Sequence, residues 1–341
     1  MKIINHLFFI LLIVLFFSCE NLLINPPDSN QNLEDFEFAW SAINDYYPYL
    51  GFKNIDWNSI YTDYRSRAEN AKGDEIYQVL HDLLFELRDG HVYYKNHGGG
   101  KVYPYIPPRH IKDRHAYSPF VVRKYFDKEL LLSFSKTVEY GIIPGNIGYA
   151  YLAGFFEDYL INDFPDVLEY LKDTKGLVLD VRIHQGGESD NAFAVISRFI
   201  TSPLNPPDWY LYDELLDIPL IEPQGPFTYL NPVVVLINGS TFSTGEQFVE
   251  IMKQLPQVTV IGDTTAGCSC GQYTGKGAPG DYLLPSGKLI HVGTTDLRRY
   301  DGLPWEWIGI EPDIRIFQTE EDIRNGIDRQ LEYAIIILKE N

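Results

Sequence analysis

"VVVLINGSTFSTGEQF", residues 233–248, joins an apolar run to an amphipathic one through a turn that is rich in hydroxyl groups. The apolar half predicts a buried strand of a parallel sheet, since such strands are covered on both faces. Residues 244–255 predict a helix that follows directly. At the turn, Ser243 has two interpretations: it caps the helix together with Glu246, or it is a nucleophile beside the Thr244 amide, at the positive end of the helix. Spacing alone leaves both open.

The same alternation of strands and helices extends on both sides of this segment. Apolar, strand-like runs lie at 176–182 and 258–263, and helical runs lie at 158–171 and 191–200. Strands that alternate with helices predict a layered α/β sheet with right-handed crossovers. Sites in such sheets gather beyond the carboxyl ends of the strands. Three residues of interest fall there, namely Gly186, Gly187 and Ser243.

The N-terminal part of the chain differs from this α/β pattern. Residues 34–97 have helical periodicity and predict an N-terminal helical bundle, with His91 just past its last helix. Residues 98–144 hold glycines, prolines and short β-like runs such as Phe120–Val122, and they predict a small segment of strands and loops. Residues 145–341 make up the predicted α/β core.

The first residues have the features of an export signal. Residues 1–18 place one lysine before an apolar run at Leu7–Phe17, which suits a signal peptide and is short for a membrane span. Cys19 follows, and LFFSC resembles the cleavage box of bacterial lipoproteins, in which this cysteine becomes the lipidated N-terminus. Residues 19–33 are polar and contain prolines, as a tether does. We therefore expect an exported protein that is lipid-anchored to a membrane of the bacterial cell envelope.

Composition limits the partners. The chain has 341 residues, of which 45% are hydrophobic, and a net charge of −19. Such a surface repels phosphate backbones, so nucleic acid is not an expected partner. The cysteines after Cys19 are Cys268 and Cys270, which have no nearby histidine to complete a metal site. We expect two free or locally bridged thiols, no metal and no organic cofactor.

A serine nucleophile needs a general base and an oxyanion site. Among the eight histidines, His91 is a candidate because a helix end can hold a functional imidazole, and His184 lies in a glycine turn close to the strand end. Gly186 and Gly187 allow the backbone to approach a ligand closely, and they equally suit an ordinary tight turn. The residues alone leave the base and the second oxyanion donor open.

Six motifs, taken in order, resemble those of one enzyme family. They are LRDGHV (87–92), GNIGYAYLAGF (145–155), GLVLDVRIHQGG (176–187), VVVLINGSTFSTGEQF (233–248), VIGDTTAG (260–267) and WEWIGIEPDIRI (305–316). The chain resembles the tail-specific, or C-terminal processing, serine peptidases and their tricorn-protease relatives over about residues 34–330. The resemblance implies a crotonase/ClpP-like α/β core with an N-terminal helical part. It also implies hydrolysis of peptide bonds, with a polypeptide as the partner.

The resemblance assigns the nucleophile and the oxyanion donors. In that family the serine three residues before a glutamate is the nucleophile, which selects Ser243 over Ser240 and Thr241. The family's oxyanion donors correspond to Thr244 and to one member of the pair Gly186–Gly187.

Two branches of the family differ in their general base. The processing peptidases use a lysine in T-x-G-K-G, but here TTAGCSCG has Cys268 at that position, and Lys276 lies too far along to replace it. The tricorn branch uses a histidine, which implies His91, and a late glutamate, which implies Glu306, with Asp301 as a weaker substitute. Glu306 would orient the imidazole directly or through a neighbour.

Two departures from the family pattern bear on function. The tricorn branch has a serine before its histidine, whereas this chain has Gly90. The stretch between His91 and Gly145 is too short for the PDZ domain of the processing peptidases, so recognition of C-terminal tails is not implied. The alternative to a peptidase is a non-catalytic binding protein or scaffold on the same fold, as in the retinoid-binding repeats of the eye. The sequence predicts no oligomeric state.

Overall fold

The structure, a computed structural model, describes residues 29–156, 159–271 and 280–340. The predicted signal peptide, Cys19 and Lys276 lie outside the described residues. The chain forms two compact units. The first unit consists of the described residues up to Leu87, together with Val92–Pro104 and Gly280–Val292. The second consists of Arg88–His91 and of the described residues from 105 to 271 and from 293 to 340.

The first unit is built from three helices and a small sheet. Its elements are α1 (Ser29–Tyr46), α2 (Trp57–Asn70), α3 (Glu75–Phe85), β1 (Tyr93–Lys95), β2 (Lys101–Val102), β12 (Asp281–Leu283) and β13 (Leu289–His291). The predicted helices are present and bury apolar side chains three and four residues apart, such as Phe36, Trp40 and Ile43. Trp40 stacks on Trp57 with ring centroids 4.3 Å apart, which joins α1 to α2.

The small sheet of the first unit includes two strands, β12 and β13, from a segment far along the chain. Its antiparallel order is β12–β13–β1–β2, and Tyr93 lies opposite His291. The sequence predicts that residues 280–292 belong to the 145–341 core, whereas in the structure they belong to the first unit. The reason is this strand pairing, which joins segments distant in sequence and leaves no local pattern.

The second unit is organised around one large sheet. Its strands are β3 (Leu131–Leu132), β4 (Val138–Ile143), β5 (Ile147–Leu152), β6 (Gly176–Asp180), β9 (Val233–Ile237), β10 (Val258–Gly262) and β15 (Ile314–Arg315). They lie in the order β15–β10–β9–β6–β5–β4–β3. The five strands from β15 to β5 are parallel, and β4 and β3 complete the sheet in antiparallel fashion.

Helices cover both faces of this sheet. They are α6 (Tyr159–Leu171), α7 (Ser189–Ile196) and α8 (Thr244–Met252) on one face and α10 (Arg329–Glu340) on the other. Successive residues of β9 alternate between the two cores. Val233 and Val235 pack with the first group of helices, and Val234 and Leu236 pack with α10. The predicted layered α/β core is confirmed.

Shorter elements complete the second unit. They are α4 (Pro108–His115), α5 (Pro119–Val122), β7 (Trp209–Leu211), β8 (Glu214–Leu215), β11 (Cys270–Gly271), β14 (Thr295–Leu297) and α9 (Glu320–Arg324), and the sheet order is β11–β14–β7–β8. The β-like run at Phe120–Val122 was predicted as a strand and is helical. Helices α4 and α5 each begin with a proline, Pro108 and Pro119, whose φ is already that of a helix. At α5 this preference for a helix outweighs the weak strand preference of an apolar run of three residues.

The sheet order determines where a site can form. Strands β6 and β9 are parallel neighbours, so their carboxyl ends lie side by side. The loop with the glycine pair follows β6, and the turn with Ser243 follows β9. The two segments therefore meet at one edge of the sheet. No helix in the described part of the chain is long and apolar enough to cross a membrane.

Candidate active site

Ser243 lies between β9 and α8. Its backbone has φ 58° and ψ −126°, a conformation that residues other than glycine rarely adopt. Such a conformation costs about 1–3 kcal/mol and persists where the surroundings enforce it. The two neighbouring hydroxyls make structural bonds. Ser240 donates to the carbonyl of His110 at 2.9 Å, and Thr241 donates to the carbonyl of Val181 at 2.9 Å. Of the three hydroxyls of the turn, that of Ser243 is the one that contacts a histidine side chain.

His91 is that histidine. Its Nε2 lies 2.9 Å from Oγ of Ser243. The carboxylate of Asp89 accepts the backbone N–H of His91 at 2.8 Å, an Asx turn that fixes the loop after α3. The imidazole packs against Phe242 with ring centroids 4.6 Å apart. Nδ1 of His91 is buried, and Oδ1 of Asp89 lies 3.6 Å from it. A serine and a histidine in this geometry can act as nucleophile and base.

Glu246 fixes the turn that carries the serine. Its buried carboxylate accepts the N–H of Ser243 at 3.2 Å, the N–H of Cys268 at 2.8 Å, the N–H of Gly267 at 2.7 Å and the hydroxyl of Thr265 at 2.6 Å. Burial raises the pKa of Glu246 to about 7, while these donors act to lower it. One side chain thus caps α8 and ties the backbone of Ser243 to a second loop.

The glycine pair leaves room for the serine. Gly186 and Gly187 have φ of 86° and 130°. A Cβ on Gly186 would lie 2.6 Å from Cβ of Ser243 and 3.0 Å from its Oγ. A Cβ on Gly187 would lie 2.3 Å from the carbonyl carbon of Phe155. Neither position accepts a side chain, so the backbone of this turn lies directly against the serine.

His184 lies beneath the glycine turn, fully buried, and not on a surface that a substrate could reach. Its Nδ1 accepts the N–H of Gly186 at 3.0 Å, and its ring packs on Phe155 with centroids 4.4 Å apart. Burial lowers the pKa of His184 to about 3. The ring is therefore neutral, and because Nδ1 is the acceptor, the proton is on Nε2.

Two backbone N–H groups beside Ser243 remain available to a ligand. Among the described residues, the N–H groups of Gly187 and Thr244 donate to no protein acceptor, whereas the N–H of Gly186 is held by His184. The hydroxyl of Thr244 donates to the carbonyl of Gly187, which ties the two donors together. The geometry thus distinguishes two glycines that the sequence could not.

Glu306 is fully buried but does not bond directly to the histidine. Its Oε2 accepts the N–H of Ser269 at 2.8 Å and the hydroxyl of the same residue at 3.4 Å. Nδ1 of His91 has no hydrogen-bond partner in the described part of the chain, so the direct contact predicted as one option is not formed. Ser269 follows Cys268, whose Sγ would be 2.9 Å from a Cβ on Gly90. The bonds of Glu306 to Ser269 therefore tie it to the loop that packs against Gly90, the residue before His91.

The remaining sequence candidates have other surroundings. Asp301 lies at the surface, 54% exposed, and pairs with Arg299 at 2.7 Å. Cys268 and Cys270 are both buried. Cys268 and Phe242 together fill the space that a side chain at position 90 would need, each 2.9 Å from a Cβ built there, so Gly90 has no room for one.

Asp89, His184 and Glu246 organise the site through contacts that the sequence does not predict. Asp89 did have a local signal, since an aspartate two residues before another residue can form an Asx turn with its N–H. The position of His184 in the glycine turn suggests a contact with substrate, and the spacing of Glu246 predicts only a helix cap. Their bonds to Gly186 and to the loop at 265–268 depend on segments that meet only in the folded chain.

A serine paired with a histidine, beside unengaged N–H groups at a helix N-terminus, defines a site of the serine hydrolase type. Residues 146–316 match peptidase family S41, and residues 28–85 match the tricorn protease C1 domain. The chain belongs to peptidase family S41. The resemblance to tail-specific peptidases and their tricorn relatives is thereby confirmed.

One curated protein and two solved structures are similar to this chain. A carboxy-terminal-processing protease of Bartonella bacilliformis is 29% identical over 211 residues, which are 57% of this chain and 44% of that protein. The chain thus spans less than half the length of this relative. A putative peptidase from Parabacteroides merdae has a similar structure, with a TM-score of 0.77, 24% identity, and coverage of 90% of this chain and 96% of the other. Mature CPAF, complexed with lactacystin, has a TM-score of 0.67 at 13% identity, with coverage of 91% and 98%. These structures share the fold.

Proposed function

We propose that this protein is a serine peptidase that hydrolyses polypeptides through an acyl-enzyme on Ser243, with His91 as the general base. The observation that carries the proposal is the 2.9 Å contact between His91 Nε2 and Ser243 Oγ, two residues that lie 152 positions apart in sequence. Membership of peptidase family S41 supports the reaction class.

The proposed attack uses the tautomer that the contact requires. For Ser243 to donate its proton, Nε2 of His91 must be the acceptor, so the imidazole proton is on Nδ1. Nδ1 faces the carboxylate of Asp89 at 3.6 Å. As Ser243 attacks the peptide carbonyl, its proton moves to Nε2, and the imidazolium that forms is stabilised by Asp89. His91 then gives this proton to the leaving amine, and water hydrolyses the acyl-enzyme.

The developing oxyanion needs donors that are already in place. We assign this role to the N–H groups of Thr244 and Gly187, with Gly186 holding the turn against the serine through its bond to His184. Removal of one such donor typically costs about 10²–10³ in rate. Glu306 has a positioning role in this proposal, since it holds Ser269 next to the loop segment that packs on Gly90.

Labelling with a fluorophosphonate tests the nucleophile. Wild type and Ser240→Ala are expected to label, because Ser240 is the matched hydroxyl that bonds to a backbone carbonyl. Ser243→Ala is expected not to label, and His91→Ala is expected to label about 10²-fold more slowly or worse. If wild type takes no label and cuts no unstructured peptide, a non-catalytic binding role on the same fold replaces the peptidase. Loss of activity in Lys276→Ala, with activity kept in His91→Ala, would assign the base to Lys276.

Two isosteric variants test which carboxylate orients the base. Asp89→Asn keeps an oxygen that can accept the N–H of His91 and removes the charge. We expect it to lower kcat by about 10²-fold with little change in KM, because the imidazolium loses its counter-charge. Glu306→Gln is expected to have the smaller effect. The reverse order would give the orienting role to Glu306.

We further propose that the protein is exported and anchored to a membrane of the bacterial cell envelope through a lipid on Cys19. The apolar run at Leu7–Phe17 followed by LFFSC supports this. Mass spectrometry of the mature N-terminus is the test. A diacylated Cys19 as the first residue is expected; an unmodified Cys19 or cleavage elsewhere would contradict the anchor.

A further inference from the structure

The second unit contains a cavity of about 290 Å³ whose lining has an unusual charge. The lining includes Arg88, Tyr105, Pro108, Arg109, Gly267 and Trp307. Within the described part of the chain, two arginines and no carboxylate contribute to it. The whole chain has 47 acidic and 28 basic residues, so a cavity that gathers only cations runs against the composition. A site of this charge attracts anions.

The guanidinium of Arg109 is held by backbone carbonyls and by no carboxylate of the described residues. Its Nη1 donates to the carbonyls of Ile308 at 2.8 Å and Thr265 at 3.2 Å. Among the described residues, no carboxylate lies within 4.0 Å of its guanidinium, whereas Arg65, Arg123 and Arg299 each have one. Two carbonyls thus fix the direction of a fork whose other N–H groups can still bind a carboxylate.

The N-terminus of α4 adds to the positive potential. Pro107, which precedes the helix, and Pro108, its first residue, line the cavity, and Arg109 is the second residue of the helix. The positive end of the helix therefore faces the same space as the guanidinium. This effect alone is modest, but it has the same sign as the arginines.

The cavity borders the loops that carry the catalytic pair. A Cβ on Gly239, in the turn before Ser243, would lie 2.6 Å from Cβ of Arg109, so α4 packs directly on that turn. Gly267 lines the cavity, and its N–H is bonded to Glu246, which also holds the N–H of Ser243. A group bound here touches segments whose positions set the geometry of the nucleophile.

A second bond links the cavity to the loop of the base. Nε1 of Trp307 donates to the carbonyl of Arg88 at 2.9 Å, and both residues have left-handed φ, 63° and 44°. Arg88 begins the segment Arg88–His91, so this bond fixes the start of the loop that ends in the base. The Trp307 ring forms an apolar wall, over which the guanidinium of Arg88 lies 6.0 Å from the ring centroid.

We propose that this cavity is a substrate subsite that binds a carboxylate of the polypeptide, with Arg109 as its specificity-determining residue. The carboxylate comes either from the C-terminus of the peptide or from an aspartate or glutamate side chain. The cavity volume of about 290 Å³ is at the small end of the range for ligand pockets and suits about one amino-acid residue of a bound peptide. This inference rests on the proposed peptidase function.

Matched peptides test the inference in the mature chain. One pair has a free C-terminus or a C-terminal amide. A second set has amidated ends and places glutamate or glutamine at each position around the cleaved bond. We expect kcat/KM to favour the carboxylate member of at least one pair by about 10–100-fold, as charge-assisted hydrogen bonds do. The pair that responds identifies the source of the carboxylate.

Variants of α4 assign the preference to Arg109. In Arg109→Gln the ratio of carboxylate to neutral substrate is expected to fall towards one, mainly through KM for the carboxylate peptide. Arg114→Gln removes the same charge from an exposed position of the same helix and is expected to keep the ratio. Fluorophosphonate labelling of Arg109→Gln confirms that its site is folded. Should that variant not fold, calorimetric binding of both peptides to Ser243→Ala measures the preference for a carboxylate as a ratio of affinities, and equal affinities overturn the subsite.

The outcomes separate this inference from the peptidase function. Cleavage with no preference for a carboxylate at any position overturns the subsite and leaves the peptidase intact. A preference that persists in Arg109→Gln also overturns it. Absence of both labelling and cleavage overturns the peptidase, and binding of the peptides to Ser243→Ala without charge preference then removes the subsite as well.

Discussion

Nδ1 of His184 accepts the backbone N–H of Gly186 at 3.0 Å, on the side of the glycine turn that faces the protein interior. This bond uses the N–H of one glycine, whereas the N–H of Gly187 has no acceptor among the residues that the structure describes. A neutral, buried imidazole thereby decides which of two adjacent amides can serve an oxyanion. The first two predictions concern the two partners of this bond.

Gly186→Ala is expected to abolish activity. Its Cβ would lie 2.6 Å from Cβ of Ser243, so either the glycine turn or the nucleophile must move. We expect a loss of at least about 10²-fold in fluorophosphonate labelling, comparable to the loss of an oxyanion donor. Gly287→Ala is the control, because Gly287 has φ 85° against 86° at Gly186 but has open space around its Cβ. It carries the same backbone strain without the clash and should label normally.

His184→Asn and His184→Leu separate the hydrogen bond from the packing. Asparagine places an oxygen close to where Nδ1 lies, whereas leucine has a similar shape with no acceptor. We expect Leu to lower kcat by about 10²-fold with little change in KM, because Gly186 and Gly187 lose their orientation. Asn should retain most of the activity. Equal losses in both variants would show that the imidazole contributes shape alone.

The same histidine makes folding stability depend on pH in a definite direction. Above pH 6.5 neither the folded nor the unfolded chain binds a proton at His184, so this residue adds no pH dependence. Below pH 6.5 the unfolded chain takes up a proton that the folded ring, with a pKa of about 3, does not. Stability is therefore lost between about pH 6.5 and 3, by up to about 1.4 kcal/mol per pH unit.

Chemical denaturation at several pH values measures this effect. The difference in the free energy of unfolding between wild type and His184→Asn should shift in favour of the variant as the pH falls through this window. Other titrating groups are common to both proteins and cancel in the difference. A difference that stays constant from pH 7 to pH 4 would mean that His184 is not held neutral.

Glu246→Gln is expected to disorganise the nucleophile turn. The carboxylate accepts bonds from Ser243, Thr265, Gly267 and Cys268. A glutamine offers one oxygen and turns an NH₂ group towards the remaining donors, which leaves buried N–H groups without acceptors. We expect labelling to slow by about 10²-fold and the Tm to fall. Glu250→Gln, two turns into the same helix, serves as the control and should change labelling far less, although it too loses a buried carboxylate.

The sequence predicted the fold and the site best where functional residues lie within a recognisable local pattern. The run of buried strands and amphipathic helices predicted the layered core, and the motif order placed His91 and Ser243 in one site, where the structure shows them 2.9 Å apart. The spacing between Ser243 and Glu246 supported both a cap and a nucleophile. In the folded chain Glu246 does cap the helix that begins after the serine, so the two interpretations describe one turn.

Other features depend on contacts that no local pattern encodes. Gly186 and Gly187 are equivalent in sequence, and only the position of the His184 ring distinguishes their N–H groups. The strand at 289–291 pairs with one at 93–95, from the opposite part of the chain, so its assignment to the core was a reasonable extrapolation that the fold overrides. The helix at Pro119–Val122 was too short for its periodicity to outweigh its β-like composition.

The strained backbone of Ser243 lowers the stability of the folded protein at the residue that supplies the nucleophile. At φ 58° and ψ −126°, glycine has a lower conformational energy than serine by about 1–2 kcal/mol. Ser243→Gly and Ser243→Ala both lose the hydroxyl, yet the glycine variant should melt at the higher temperature, because it alone relieves the strain. A screen that rewards thermal stability would therefore favour loss of the nucleophile, and only selection for turnover can retain a serine at this position.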